Sequence, residues 1–110
     1  LRRLTTPTFL PTPSDVSDMA DLLSDAEISD RLPEEWTRED DEIVRVFEFD
    51  GYLDASGFLS AAAGLAEDAW HHPEMTIRWG EVEVRLTTHD AGGITENDID
   101  LAERLNGIHD

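Results

Sequence analysis

The chain has 110 residues, room for one ordinary domain, and its 39% apolar residues can build a modest core. It carries 26 acidic residues against eight basic ones, every one of them arginine, for a net charge of −18. That balance excludes a basic nucleic-acid-binding surface, and the absence of cysteine excludes disulfides, thiolate metal sites and a cysteine nucleophile.

A surface this negative repels itself in ordinary salt. Molar salt shortens the Debye length to about 3 Å and removes most of that repulsion. The expectation is therefore a halophilic protein working in a salt-loaded cytoplasm. The acids are interleaved with periodic apolar residues along the chain, which argues against a disordered acidic tail. No apolar run is long enough to span a membrane. Arg2-Arg3 is not followed by an apolar stretch of about seven to fifteen residues, so export is not expected and the reading is cytoplasmic.

Residues 1–18 hold four threonines and Pro7, Pro11 and Pro13, with no acid before Asp15. They read as a flexible or loosely packed N-terminal extension, the alternative being a genuine edge segment, and the domain is expected over 19–110. Ser24 before Asp25-Ala26-Glu27 forms a helix N-cap with an acidic first turn. Ile28 and Leu32 continue its apolar face, and Pro33 stops it. A short strand near Trp36 and the alternating run 43–49 read as a hairpin (36–38 with 43–49) turning at Glu39-Asp40-Asp41-Glu42. In the second strand Ile43, Arg45, Phe47 and Phe49 share one side. After the Asp50-Gly51 turn, Leu53, Phe58, Leu59, Ala62, Ala63, Leu65 and Ala66 recur at helical spacing within 53–69. His72-Pro73 ends any helix. Residues 75–79 and the alternating Val82, Val84 and Leu86 supply two more strands around Gly80. Thr95 caps a last helix with Glu96 and Asp98 in its first turn and Ile99, Leu101, Ala102, Leu105 and Ile108 as its apolar face. The fold class is α+β: a four-stranded antiparallel sheet with three helices packed on one face, in the order helix-strand-strand-helix-strand-strand-helix.

His71-His72 follows the long helix and His89 ends the last strand. Adjacent histidines at such a junction point in different directions, so both rarely serve the same packing role. His109, near the terminus, reads as a solvated tail residue. Three histidines raise a metal reading, but His71 and His72 are poor co-ligands and no His-x-x-x-His occurs, so no metal is expected. Glu67, one helical turn before His71, is placed to orient that ring or act as a base. No phosphate-binding glycine loop or serine nucleophile elbow occurs. The residues point to acid–base chemistry on a small molecule by imidazoles near neutral pH.

Glu67-Asp68-Ala69-Trp70-His71-His72-Pro73-Glu74, an acid, three residues and His-His-Pro, resembles the signature of the pterin-4a-carbinolamine dehydratase family. Trp79, Thr87-Thr88-His89-Asp90-Ala91-Gly92-Gly93-Ile94-Thr95 and Asp98 continue the pattern. Leu32 to Trp36 and Val46-Phe47-Glu48-Phe49 resemble the family's tryptophan and phenylalanine segments, so the likeness covers about residues 22–108. The resemblance implies a homodimer or homotetramer that dehydrates 4a-hydroxytetrahydropterin to quinonoid dihydropterin, with no metal or cofactor, in tetrahydropterin regeneration. It assigns catalysis to His71, His72 and His89, and substrate binding to Glu67, Trp36, Pro73 and Asp98. Two positions depart from it: Asn97 stands where animal members often carry Arg, and Trp70 where a polar residue is common. The alternatives are a role in molybdopterin metabolism and a non-catalytic pterin-binding or dimerisation protein of the same fold.

Overall fold

A computed structural model of the chain describes residues 21–109; the expected 1–18 extension lies outside the described residues. In chain order the elements are α1 (Asp25–Arg31), β1 (Thr37–Glu39), β2 (Glu42–Glu48), α2 (Tyr52–Ala69), β3 (Glu74–Arg78), β4 (Glu81–Leu86) and α3 (Glu96–His109). The expected order of helices and strands is the observed one.

Helix α1 begins at a reciprocal cap. The Glu27 amide donates to Ser24 Oγ at 3.1 Å, and the Ser24 amide donates to Glu27 Oε1 at 2.8 Å. Those bonds, the Ser24 amide above all, hold the Glu27 carboxyl below its ordinary value. The strands form one antiparallel sheet in the order β1-β2-β4-β3. The two hairpins therefore join through β2 and β4, with Ile43 opposite Leu86 and Phe47 opposite Val82.

Alternation along these central strands sorts the two faces. Ile43, Phe47, Val82, Val84 and Leu86 are buried against the helices. Ile28 of α1, Ala55, Phe58 and Ala62 of α2, and Ile99, Ala102 and Leu105 of α3 complete the same core. Fully burying a side chain such as Phe47 or Leu105 contributes roughly 1.5–3 kcal/mol. The opposite face carries an ion-pair ladder. Arg78 donates to Glu81 and Glu83, both at 2.7 Å, and Arg85 donates to Glu83 at 2.6 Å and to Glu39 and Glu42 at 3.0 Å. The bond from Arg78, then that from Arg85, lowers the Glu83 carboxyl below its ordinary value.

Three local expectations are corrected. The first hairpin is shifted because its turn is Asp40-Asp41, with Asp40 at φ 55°, a left-handed conformation that aspartate tolerates. Pairing therefore starts at Glu39 with Glu42. Leu53 and Ile108 lie off their helices' buried faces, 82% and 43% exposed. His109 is not a solvated tail residue: its ring packs edge-on at 5.2 Å from Phe47 and 5.3 Å from Phe49. The last turn of α3 carries it back over the aromatic end of β2.

Candidate active site

Two connections at the same end of the sheet build the site. Strand β3 pairs with β4 so that Glu74 lies opposite Arg85. Just beyond that pairing, His71 and His72 come together with Thr87 and Thr88 around one cavity. Helix α2 delivers the histidine pair through a Schellman ending: the His71 amide donates to Ala66 O at 3.0 Å and the Trp70 amide to Glu67 O at 3.2 Å. Trp70, in the left-handed conformation, turns the chain out of the helix, and Pro73 keeps it out. On the other side, Thr88 and Gly93 pair across a tight loop, with Thr88 N–H donating to Gly93 O at 2.8 Å and Gly92 at φ 82°. That loop carries His89 and Asp90 at its tip.

The two adjacent histidines take different acids. His71 Nε2 lies 2.5 Å from Asp98 Oδ1, with side chains 14% and 0% exposed. His72 Nε2 lies 2.6 Å from Glu67 Oε2 on an exposed surface. The expectation that Glu67 orients His71 is therefore corrected. Helical spacing ends at Ala69, and the turn at Trp70 sends His71 inward and brings His72 back over Glu67.

Asp98 is enclosed by its own protein. Its Oδ2 accepts the Thr88 hydroxyl at 2.8 Å and the Thr95 amide at 2.9 Å. The Thr95 hydroxyl lies 2.8 Å from that of Thr88 and accepts the Asn97 amide at 3.2 Å. Thr88 gives its single proton to Asp98, so Thr95 donates to Thr88 and both hydroxyls are satisfied. A carboxylate only accepts, so the proton between Asp98 and His71 sits on Nε2. In neutral His71 that leaves Nδ1 as the basic nitrogen, and it makes no hydrogen bond among the described residues.

His71, His72, Thr87, Thr88, His89 and Asp90 line a cavity of about 200 Å³. A larger one of about 440 Å³ adjoins it, sharing Thr87 and His89 and lined also by Glu39, Asp40, Asp41, Glu42 and Gly92. The three expected catalytic histidines thus meet at one cavity, and Glu67 and Asp98 stand behind two of them. Trp36 stands elsewhere: it is 3% exposed in the core, its indole N–H donating to Asn106 at 2.8 Å. Pro73 follows the pair without lining the cavity. The sequence signal for Thr95 is its place three residues before an acid, Asp98, at a helix start, and Thr88 carries no such signal. Among the described residues, no three His, Cys, Asp or Glu side chains are grouped to hold a metal ion, and no helix is long and apolar enough to cross a membrane.

The sequence model of the family described as pterin 4 alpha carbinolamine dehydratase matches residues 21–108. The chain belongs to that family. A Natronomonas pharaonis protein, provisionally named a pterin-4-alpha-carbinolamine dehydratase, is 68% identical over 90 residues, covering 82% of this chain and 98% of its own. A Halobacterium salinarum dehydratase-family protein with the same provisional name is 54% identical over 86 residues, covering 78% and 94%. Among solved structures, a transcriptional coactivator/pterin dehydratase from Brucella melitensis superposes with a TM-score of 0.77 at 36% identity, covering 80% of this chain and 98% of that one. A pterin dehydratase-like protein described as a RuBisCO assembly factor of the alpha-carboxysome shares the dehydratase fold, with a TM-score of 0.56 at 23% identity over 67% of this chain and 86% of that one.

Proposed function

We propose that the chain is a 4a-hydroxytetrahydropterin dehydratase acting by histidine acid–base catalysis, with no metal or cofactor. What carries the reading is the meeting of His71, His72 and His89 at one cavity, with Asp98 fixing which nitrogen of His71 bears a proton. In the reaction the C4a–O bond breaks, the hydroxyl takes a proton and leaves as water, and a ring nitrogen gives up a proton as the quinonoid dihydropterin forms. His71 and His89 act as the proton-transfer pair. His71 Nδ1 removes the ring-nitrogen proton, and His89, exposed at the rim, delivers one to the departing hydroxyl. His72, held by Glu67, orients the substrate. Asp98 has both oxygens engaged inside the protein, so its part is to fix His71 rather than to touch the pterin.

The charge of −18 and relatives from two haloarchaea support a halophilic enzyme of a salt-rich cytoplasm, and the small core supports a homodimer or homotetramer. The names of the two structural neighbours favour a second reading, a coactivating or assembly role on the same fold.

The test is dehydration of freshly generated 4a-hydroxytetrahydropterin in 2 M KCl. We expect turnover insensitive to EDTA, with losses of about 10²–10⁴ in rate for His71→Ala and His89→Ala and a smaller loss for His72→Ala. Circular dichroism checks that each variant is folded. Near-wild-type turnover in all three folded variants would overturn the mechanism. A folded wild type with no turnover would favour the second reading, and activity abolished by EDTA would restore a metal.

A further inference from the structure

Trp70 occupies the position of the Schellman ending that glycine usually takes, at φ 51°, ψ 46°. Glycine adopts that conformation freely, whereas a side chain there is strained. Burial does not offset the strain, because Trp70 is 76% exposed. The helix end and the core give no reason for an indole at this position. The indole does meet His72: the ring centroids are 4.9 Å apart and the planes stand at 82°, edge to face.

His72 needs such a neighbour. Its side chain is 50% exposed and, among the described residues, its one hydrogen bond goes to Glu67, itself 66% exposed. A single exposed contact leaves the imidazole free to swing about the Nε2–Oε2 line and to exchange its partner for water. A second contact against the ring fixes its plane as well as its nitrogen. We propose that Trp70 is a positioning residue that sets the plane of the His72 imidazole at the mouth of the cavity. This rests on reading that cavity as the dehydration site. Helix-end stability is given up here for the orientation of a side chain that glycine could not hold.

The experiment compares wild type with Trp70→Gly and Trp70→Phe in 2 M KCl, reading the His72 ring-proton resonances by NMR, the melting temperature, and kcat and KM. In Trp70→Gly we expect the His72 resonances to lose their ring-current displacement and the melting temperature to hold or rise. We expect kcat to fall about tenfold, within the up to 10²-fold loss that misplaced groups cause. Trp70→Phe, which keeps a ring over His72, should restore most of both the resonance positions and kcat. Unmoved His72 resonances in Trp70→Gly would overturn the proposal. So would moved resonances with kcat intact, or a changed oligomeric state with kcat intact, which would make Trp70 a contact between copies. The NMR comparison needs no turnover. A wild type that dehydrates nothing would therefore sink the functional reading, while the ring shifts still decide whether Trp70 holds His72.

Discussion

Two polar networks lie on opposite sides of β4, and they work in opposite ways. On the outer face, Arg78 and Arg85 are shared among Glu39, Glu42, Glu81 and Glu83, all within reach of water. At the end of the same strand, Thr88, Thr95 and Asp98 are buried, and the hydrogen bonds of the two threonines and of His71 converge on the Asp98 carboxylate. Exposed ion pairs are screened by salt and replaceable by solvent, so losing one costs little. A buried polar group that loses its partner bears the desolvation cost in full. The ladder is thus suited to a chain of high negative charge in high salt, and the buried chain is suited to holding one atom in one place.

The largest effect expected is that of Asp98→Ala. It strands His71 Nε2, the Thr88 hydroxyl and the Thr95 amide, at roughly 1–3 kcal/mol for each buried group left unsatisfied. Urea denaturation in 2 M KCl should show that loss, together with a fall in turnover of about 10²–10⁴. Next, Thr88→Val keeps the volume but removes one donor to Asp98 and the acceptor for Thr95, for a loss of roughly 1–3 kcal/mol. If it proves as stable as wild type, the directional chain of hydroxyls is wrong.

Arg85→Ala should lower the melting temperature by no more than a few degrees at 0.1 M KCl, and by less at 2 M as the pairs are screened. The Asp98→Ala penalty should stay unchanged over that range, and the wild-type melting temperature should itself rise as self-repulsion is screened. A ladder variant more damaging than the buried one would reverse the comparison. The smallest effect concerns acid. Glu83 has its folded-state value lowered by Arg78 and Arg85, so its contribution is present above the unfolded value near 4.5 and is lost as pH falls below it. Glu83→Gln should therefore be slightly less stable than wild type above about pH 5, where that contribution is present, and converge on it in acid, which flattens the acid limb of melting temperature against pH.

Much of this was legible in the sequence, because period and capping are local. Val82, Val84 and Leu86 alternate, Ile99, Ala102 and Leu105 repeat at helical spacing, and Ser24 and Thr95 mark helix starts. The histidine pair with His89 was visible as well. The matching of acid to histidine was not. The spacing of Glu67 to His71 implies contact only inside a continuous helix, and the helix ends at Ala69, between the two. Placing Asp98 behind His71 needs the β3–β4 register and the turn into α3, both set by tertiary packing. Trp36 and His109 escaped for a related reason, since an indole before a strand or an imidazole at a helix end has no period to betray its packing.

Helix α3 begins with the same residue pair that anchors His71: the Thr95 amide and the Asp98 carboxylate close its first turn. Fraying of that turn, ordinarily a harmless fluctuation, would release the imidazole each time it occurred. The lifetime of the organised cavity is then bounded by the opening rate of one helical turn. Amide hydrogen exchange at Asp98 and Ile99, whose N–H groups bond to Thr95 O at 3.1 and 3.4 Å, would time it directly.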